Sequence, residues 1–383
     1  MSSELTAEQE ALRASVADFA REVVAPVAAQ HDREHSFPYD VVRQMGSMGL
    51  FGLPFPEEYG GMGGDYFALC LALEELARVD SSVAITLEAG VSLGAMPVFR
   101  FGTDAQKQEW LPRLTSGRAL GAFGLTEPGG GSDAGATRTT ARRDGDTWVI
   151  DGSKAFITNS GTDLTELVTV TAVTGQTAAG KKEISAILVP VPADGFTAAK
   201  PYDKVGWNAS DTHELHFDGV RVPAVNLLGE QGRGYANFLS ILDEGRIAIS
   251  AIGVGLAQGC VDECVRYARE REAFGRTIGS YQAIAFMIAE MEMRTHVARC
   301  AYYDAAARML AGKPFKRQAA IAKLYSSEIA VTNARDATQV FGGYGFMNEF
   351  PVARFWRDSK ILEIGEGTSE VQKMLIARDL GVG

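Results

Sequence analysis

Asp144-Gly145-Asp146-Thr147-Trp148-Val149-Ile150-Asp151-Gly152-Ser153-Lys154-Ala155-Phe156-Ile157-Thr158 sets two Asp-Gly pairs against runs of β-forming residues. Asp-Gly supplies the positive backbone angles of a tight hairpin turn, so the stretch reads as two successive hairpins. Leu167–Val173, Ile184–Pro190 and Glu214–Phe217 continue the series downstream. Residues 119–230 therefore read as a middle antiparallel β domain. Long helices do not alternate with these strands, which disfavours a doubly wound nucleotide fold. On both sides the period changes from 2 to about 3.6. In residues 1–118, Leu12, Val16, Phe19, Val23 and Val24 recur at helical spacing, and Phe67–Ala77 reads as a buried helix. Pro54, Pro56, Gly60, Gly61, Gly63 and Gly64 mark the loop between them. Thr103 followed by Gln106 reads as a helix start, and Gly117 as its end. In residues 231–383, long helices are predicted over Gly234–Arg271, Gln282–Ala311, Ala319–Gln339 and Ser369–Leu380, lengths that suit an antiparallel bundle. The fold class is α+β and mostly helical, in three parts.

The 383 residues suffice for two or three domains with a large core. A net charge of −11 argues against nucleic acid or an anionic membrane as the main partner. No apolar run reads as a membrane span, and the first residues lack the basic and apolar blocks of a signal peptide, so a cytoplasmic location is expected. Four cysteines, Cys70, Cys260, Cys264 and Cys300, fit a reducing compartment. Cys260 and Cys264 lie one helical turn apart and read as small apolar side chains in a helix interface. His213 and His216 fall in a strand, where a spacing of three puts them on opposite faces, so no shared metal is expected.

Four segments carry residues suited to chemistry. Glu366 lies between Gly365 and Gly367, just before Thr368-Ser369-Glu370, which can start a helix. Flanking glycines let a backbone approach a ligand closely, and a carboxylate held there can act as a general base. Phe123-Gly-Leu125-Thr126-Glu-Pro-Gly-Gly-Gly131-Ser132-Asp133 exposes successive backbone N–H groups and two hydroxyls. It is either a glycine-rich surface turn or a loop that cradles phosphate or a polar ring edge, and it is neither a P-loop nor a dinucleotide fingerprint. Arg269 to Arg276, followed by Tyr281-Gln282, interrupts a helical region and reads as a charged helix end or a pyrophosphate clamp. Gln339-Val340-Phe341-Gly342-Gly343-Tyr344-Gly345 reads as a helix cap or a place of close backbone approach.

In order and spacing these segments resemble the acyl-CoA dehydrogenase family over nearly the whole chain. The family's T-E-P-x-x-G-S is Thr126 to Ser132 here, its aromatic-I-T-N is Phe156 to Asn159, and its R-x-x-F-G is Arg271 to Gly275. Its Q-x-x-G-G is Gln339 to Gly343, and its E-G-T is Glu366 to Thr368. The resemblance implies a helical N-terminal domain, a middle β domain, a C-terminal four-helix bundle, bound FAD and a homotetramer. It implies that Phe123, Leu125, Thr126, Gly131, Ser132, Phe156, Ile157 and Thr158 line the flavin ring. Arg271, Phe274 and Gln282 would reach the FAD of a neighbouring subunit, and Gln339, Val340, Gly342 and Gly343 would complete that site. Thr368 and Glu370 would meet the cofactor from the other side. Ser132, Asp243, Arg246 and Gly367 would contact the acyl-CoA thioester, and Glu366 would remove its α-proton while a β-hydride passes to flavin N5. The Glu366 backbone N–H and an FAD ribitol hydroxyl would bind the thioester oxygen. An electron-transfer flavoprotein would take the electrons.

Three positions depart from the commoner family pattern or discriminate within it. Phe156 stands where many relatives have Trp, which keeps an aromatic wall but loses an N–H. Gly365 stands where many straight-chain enzymes have Tyr, which opens space for a branched or bulky acyl group. Gly245 occupies the place where some members carry the base, within Asp243-Glu244-Gly245-Arg246. Glycine cannot be a base, and Glu244 would point about 100° away on a helix. An acyl-CoA oxidase using oxygen, or a flavin- or acyl-CoA-binding protein without turnover, are the alternative readings.

Overall fold

The computed structural model describes residues 5–382. Seven helices come first: α1 (Ala7–Phe19), α2 (Ala25–Glu34), α3 (Tyr39–Ser47), α4 (Tyr66–Ala77), α5 (Ser81–Glu88), α6 (Met96–Phe101) and α7 (Asp104–Thr115). The Thr103 start is a capping box: Thr103 Oγ1 accepts from Gln106 N at 3.2 Å and Gln106 Oε1 accepts from Thr103 N at 2.9 Å. Val16, Phe19 and Val24 are buried as their period predicts, and α4 is buried on almost every side. Between α5 and α6 the helix widens into π turns over Ala89–Ala95.

Eight strands follow: β1 (Leu120–Gly124), β2 (Thr140–Asp144), β3 (Thr147–Thr158), β4 (Thr165–Gln176), β5 (Lys182–Pro190), β6 (Phe196–Ala198), β7 (Thr212–Pro223) and β8 (Leu227–Leu228). They form one sheet in the order β6-β7-β3-β2-β4-β5-β8, with β1 also on β4. Its hairpins are antiparallel, as expected. The β1–β4 pairing and a single bridge between β2 and β4 are parallel, because β1 and β4 are joined through the whole β2–β3 excursion rather than by a turn. The Asp144-Gly145 turn is present, with Gly145 at φ 59°. Asp151-Gly152 corrects the second predicted turn. Strand β3 runs straight through it, and Gly152 sits at a bulge against β7. A Cβ on Gly152 would stand 2.7 Å from the Thr139 Cα, so glycine is required by close approach, not by a hairpin. On β7, His213 is buried and His216 exposed, on opposite faces as predicted.

The chain returns to helix with α8 (Gly234–Glu270), then a small ribbon of β9 (Glu272–Ala273) and β10 (Arg276–Thr277), α9 (Gln282–Leu310), α10 (Lys316–Phe341), α11 (Pro351–Ser359) and α12 (Ser369–Asp379). Helix α8 packs on α10, α9 and α4. Small residues permit this: a Cβ on Gly255 would stand 2.2 Å from Glu74 O of α4. One hydrophobic core runs through both helical regions, and a second fills the β domain. Two segments, Ser81–Phe101 and Gly234–Glu270, are long and apolar enough to cross a membrane by length and composition, contrary to the sequence expectation. Their apolar windows are 89% and 83% buried within the protein, so they are core helices. Cys260 and Cys264 are buried on α8.

Candidate active site

Glu366 lies in the turn between α11 and α12, at φ 52°. That angle is strained for a residue with a side chain, and such strain concentrates at functional positions. The next residue, Gly367, is at φ 98°, and its carbonyl accepts from Lys323 Nζ at 2.7 Å and Gln372 Nε2 at 2.9 Å. Thr368 caps α12 through Val371 N. The turn is thus pinned by α10 on one side and by its own helix on the other. No described residue accepts the Glu366 N–H, and neither Glu366 carboxyl oxygen has a hydrogen-bond partner, although both are shielded from solvent.

The carboxyl faces α8 at Gly245. A Cβ there would stand 2.6 Å from Glu366 Oε2 and 3.8 Å from Glu88 Oε1. The missing side chain therefore makes room for two acids, one of them expected and one not. Burial raises the Glu366 carboxyl above the usual carboxylate range, and Lys323 and Arg246 oppose that. Burial pushes Glu88 well above it, and the Glu366 charge adds to the shift. Burial also lowers Lys323 to about 8, against the pull of Glu366. Arg246 bonds Asp243, which Lys316 Nζ reaches at 2.6 Å. Arg246 Nε has no partner. Arg246 thus links Asp243 to Glu366, with Gly367 next in the chain.

The predicted flavin-lining segments also meet. Ala155 N donates to Thr126 O at 2.9 Å, which joins β3 to the glycine-rich loop. Beneath this joint the buried Lys154 ammonium bonds Glu127 at 2.8 Å, Thr171 Oγ1 at 3.1 Å and Leu125 O at 3.4 Å. Glu127 also accepts from Arg138 N and Thr139 N. Burial lowers Lys154 to about 8, with Glu127 opposing. Phe123 stacks on Phe238 at 3.8 Å and is buried with Leu125 and Ile157. Thr158 is half-buried, while Gly131 and Ser132 are exposed. Phe156 is 66% exposed at φ 61°, a large ring held out on a strained backbone. An exposed aromatic ring beside an exposed glycine-rich loop fits the flat, polar-edged ring of a cofactor such as FAD.

A second group collects elsewhere. Arg271 lies over the Tyr344 ring at 5.7 Å, which brings the β9–β10 ribbon to the Gly342–Phe346 turn. Phe274 is 96% exposed at φ 54°, Gln282 and Gln339 are exposed, and Val340 is buried. A Cβ on Gly342 or Gly343 would meet nothing within 4 Å. From Arg246 to Arg271 helix α8 rises by roughly 37 Å at 1.5 Å per residue, so one chain does not bring this group to Glu366. Glu370 is exposed on the first turn of α12.

Sequence reasoning missed Glu88, Lys323 and Lys154. The first two are lone charges inside apolar or alanine-rich helical runs, Ile85-Thr-Leu-Glu88-Ala-Gly-Val and Ala319-Ala-Ile-Ala-Lys323-Leu. A charge in such a run is the available signal, since it is buried only when something faces it. Lys154 sits two residues before Phe156 and reads as an ordinary strand lysine.

The chain matches the family model "Acyl-CoA dehydrogenase, N-terminal domain" over residues 6–118, the middle-domain model over 122–220 and the C-terminal-domain model over 232–381. A Bacillus subtilis protein named Probable acyl-CoA dehydrogenase YngJ is 48% identical, covering 99% of this chain and 100% of that one. The butyryl-CoA dehydrogenase structure from Megasphaera elsdenii superposes with TM-score 0.95 at 41% identity, over 99% of this chain and all of that one. A chain in the solved structure of the electron transferring flavoprotein of Acidaminococcus fermentans matches equally, with TM-score 0.95 and 41% identity over 99% of both chains.

Proposed function

Because the chain belongs to the acyl-CoA dehydrogenase family of FAD-dependent oxidoreductases, we propose that it removes the α-proton and β-hydride of a short acyl-CoA to give the trans-2-enoyl-CoA, with Glu366 as the base. The observation that carries this reading is the Glu366 carboxyl: shielded, unpartnered, held at a strained angle between two glycines, and facing the space over Gly245.

FAD, when bound, supplies the hydride acceptor. The residues that would hold it are Leu125, Thr126, Gly131, Ser132 and the Phe156–Thr158 segment. Burial raises the Glu366 carboxyl, while Lys323 and Arg246 oppose that shift and favour the ionised form a base needs. An acyl chain entering beside it displaces water, which raises its affinity for the α-proton. The Glu366 N–H, free of protein acceptors, is available to the thioester oxygen and to the negative charge that develops there. Lys323 fixes the neighbouring Gly367 carbonyl and so holds the turn that carries Glu366. Asp243, Arg246 and Ser132 serve the thioester ligand.

The Arg271, Phe274, Gln282 and Gln339–Gly343 group serves a second subunit's cofactor, a reading that its distance from Glu366 along α8 supports. Exposed Phe286, Met293 and Val297 share one face of α9 and suit burial in such an assembly, which we take as a homotetramer. The A. fermentans likeness supports an electron-transfer flavoprotein as acceptor. Unpaired cysteines suit a reducing cytoplasm.

Likeness to butyryl-CoA dehydrogenase favours a short straight acyl group. A second reading, a branched acyl group, is favoured by Gly365, where a Cβ would meet only Ile361, its O at 3.4 Å and its Cγ1 at 3.9 Å. Turnover of a panel of straight and branched acyl-CoAs with an artificial acceptor decides between them, and peroxide released during turnover would indicate an oxidase instead. For the base, Glu366→Gln is expected to bind FAD normally and to lose about 10²–10⁴-fold in kcat. Full dehydrogenation by that variant would sink the assignment.

A further inference from the structure

Glu88 is a carboxyl that the chemistry above leaves unused. It ends α5 where the helix widens into the π turns of Ala89–Ala95, and π turns recur at functional sites. It is fully buried, and neither of its oxygens has a partner among the described residues. Glu88 Oε1 and Glu366 Oε2 both lie beside the Gly245 position on α8, 3.8 and 2.6 Å from where a Cβ would stand, and the two side chains act on one another. The groups facing the pair differ from side to side. Arg246 of α8 and Lys323 of α10 act on Glu366. Glu88 faces Tyr66 and Cys70 of α4, both neutral through burial, and the Ser92 hydroxyl of the π turns, which favours its charged form and is itself joined to Tyr66 OH at 2.8 Å. Glu244, the next acid, is engaged by Arg100 at 2.5 Å.

Two carboxylates can only accept hydrogen bonds, and like charges this close in a dry site do not both ionise. One proton held between them satisfies both. The cations stand on the Glu366 side, so the charge belongs there and the proton on Glu88.

We propose that Glu88 is a positioning residue for proton abstraction: in the resting site it stays neutral and donates its proton's hydrogen bond to the ionised Glu366 carboxylate. When an acyl group entering the site separates the two carboxyls that bond is lost, and Glu366 becomes the stronger base at the moment it is needed. Glu88 keeps its own proton throughout, and the substrate's α-proton ends on Glu366. The proposal rests on Glu366 being the base.

The test is the pH profile of kcat/KM, which reports the free enzyme. The holoenzyme, Glu88→Gln and Glu88→Leu are compared with butyryl-CoA as probe and an artificial acceptor. Glu88→Gln keeps a donor, so its acid limb stays in place. Glu88→Leu removes the donor, so its acid limb moves up by about one unit, the equivalent of one tenfold loss of carboxylate stabilisation. A second readout needs no turnover: the infrared difference between wild type and Glu88→Gln at pH 7 contains one neutral-carboxyl band. Identical acid limbs in all three proteins, or a difference spectrum without that band, overturn the proposal. Failure of the base itself is separate, since it is read from Glu366→Gln turnover.

Discussion

At the scale of single residues, the site depends on a side chain that is absent. In sequence, Gly245 only excludes a rival base. In the structure it is the reason Glu366 and Glu88 fit against α8 at all. The methyl of Gly245→Ala would collide with Glu366 Oε2 at 2.6 Å, and that oxygen is the free end of a flexible side chain. The variant is therefore expected to fold and bind FAD, while the base is pushed off its line to the substrate. A misplacement on the order of 1 Å costs about 10²-fold in rate. Steady-state kcat beside a melting curve checks this, and unchanged kcat would mean that the carboxyl does not work from this position. Glu366 was legible because glycines on both sides announce an unusual backbone. Glu88 and Lys323 were not, because a lone charge in an apolar helix shows its burial but not what it faces.

At the scale of elements, the long helices were legible almost to their ends, since a period of about 3.6 sustained over many residues has few competing explanations. Strand β3 was harder. Asp151-Gly152 is a strong local hairpin signal, yet β3 is held straight by β7, which arrives far later in the chain. Thr139 crossing above Gly152 explains the glycine instead. The straightness matters for function, because it places Lys154 under the Leu125–Ser132 loop and Phe156 beside it. The Glu127–Lys154 pair ties these elements together in a buried setting. Breaking such a pair from one side leaves a buried charge alone and costs about 3–5 kcal/mol. Glu127→Gln is expected to be destabilised by that order and to hold FAD more weakly, whereas Glu127→Gln with Lys154→Met recovers part of the stability. Denaturant unfolding and FAD titration of the apoprotein measure both, and equal stability of the single and double variants would count against the pair as the tie.

At the scale of the whole molecule, the β domain is held against both helical regions, and one buried acid on α11 does much of this. Asp358 accepts from Trp207 N of the β domain at 2.7 Å and from Ser81 Oγ of α5 at 3.2 Å, and Trp207 Nε1 closes the triangle on Ser81 at 2.9 Å. Close approach is built in: Trp207 is at φ 52°, and a Cβ on Gly206 would stand 2.5 Å from Arg357 O. Arg357 pairs with Asp32 of α2, which also accepts from Asn208, and Arg354 lies 3.7 Å from Asp80. Burial, with Asp80 adding to it, raises the Asp358 carboxyl from 3.8 to about 7. Between those values the native protein keeps a proton that the unfolded chain has released. The stability this group contributes is therefore complete below about pH 4 and is lost as the pH rises through about 7. Asp358→Asn cannot titrate, so the advantage of wild type over the variant should shrink from pH 4.5 to pH 7.5, by at most about 4 kcal/mol at 1.36 kcal/mol per unit. Unfolding of both proteins across that range, at one scan rate and with matched FAD content, gives the difference directly. Parallel stability curves would show that Asp358 does not titrate between the folded and unfolded states, and that the junction is held by Asp32–Arg357 and the Trp207 ring alone.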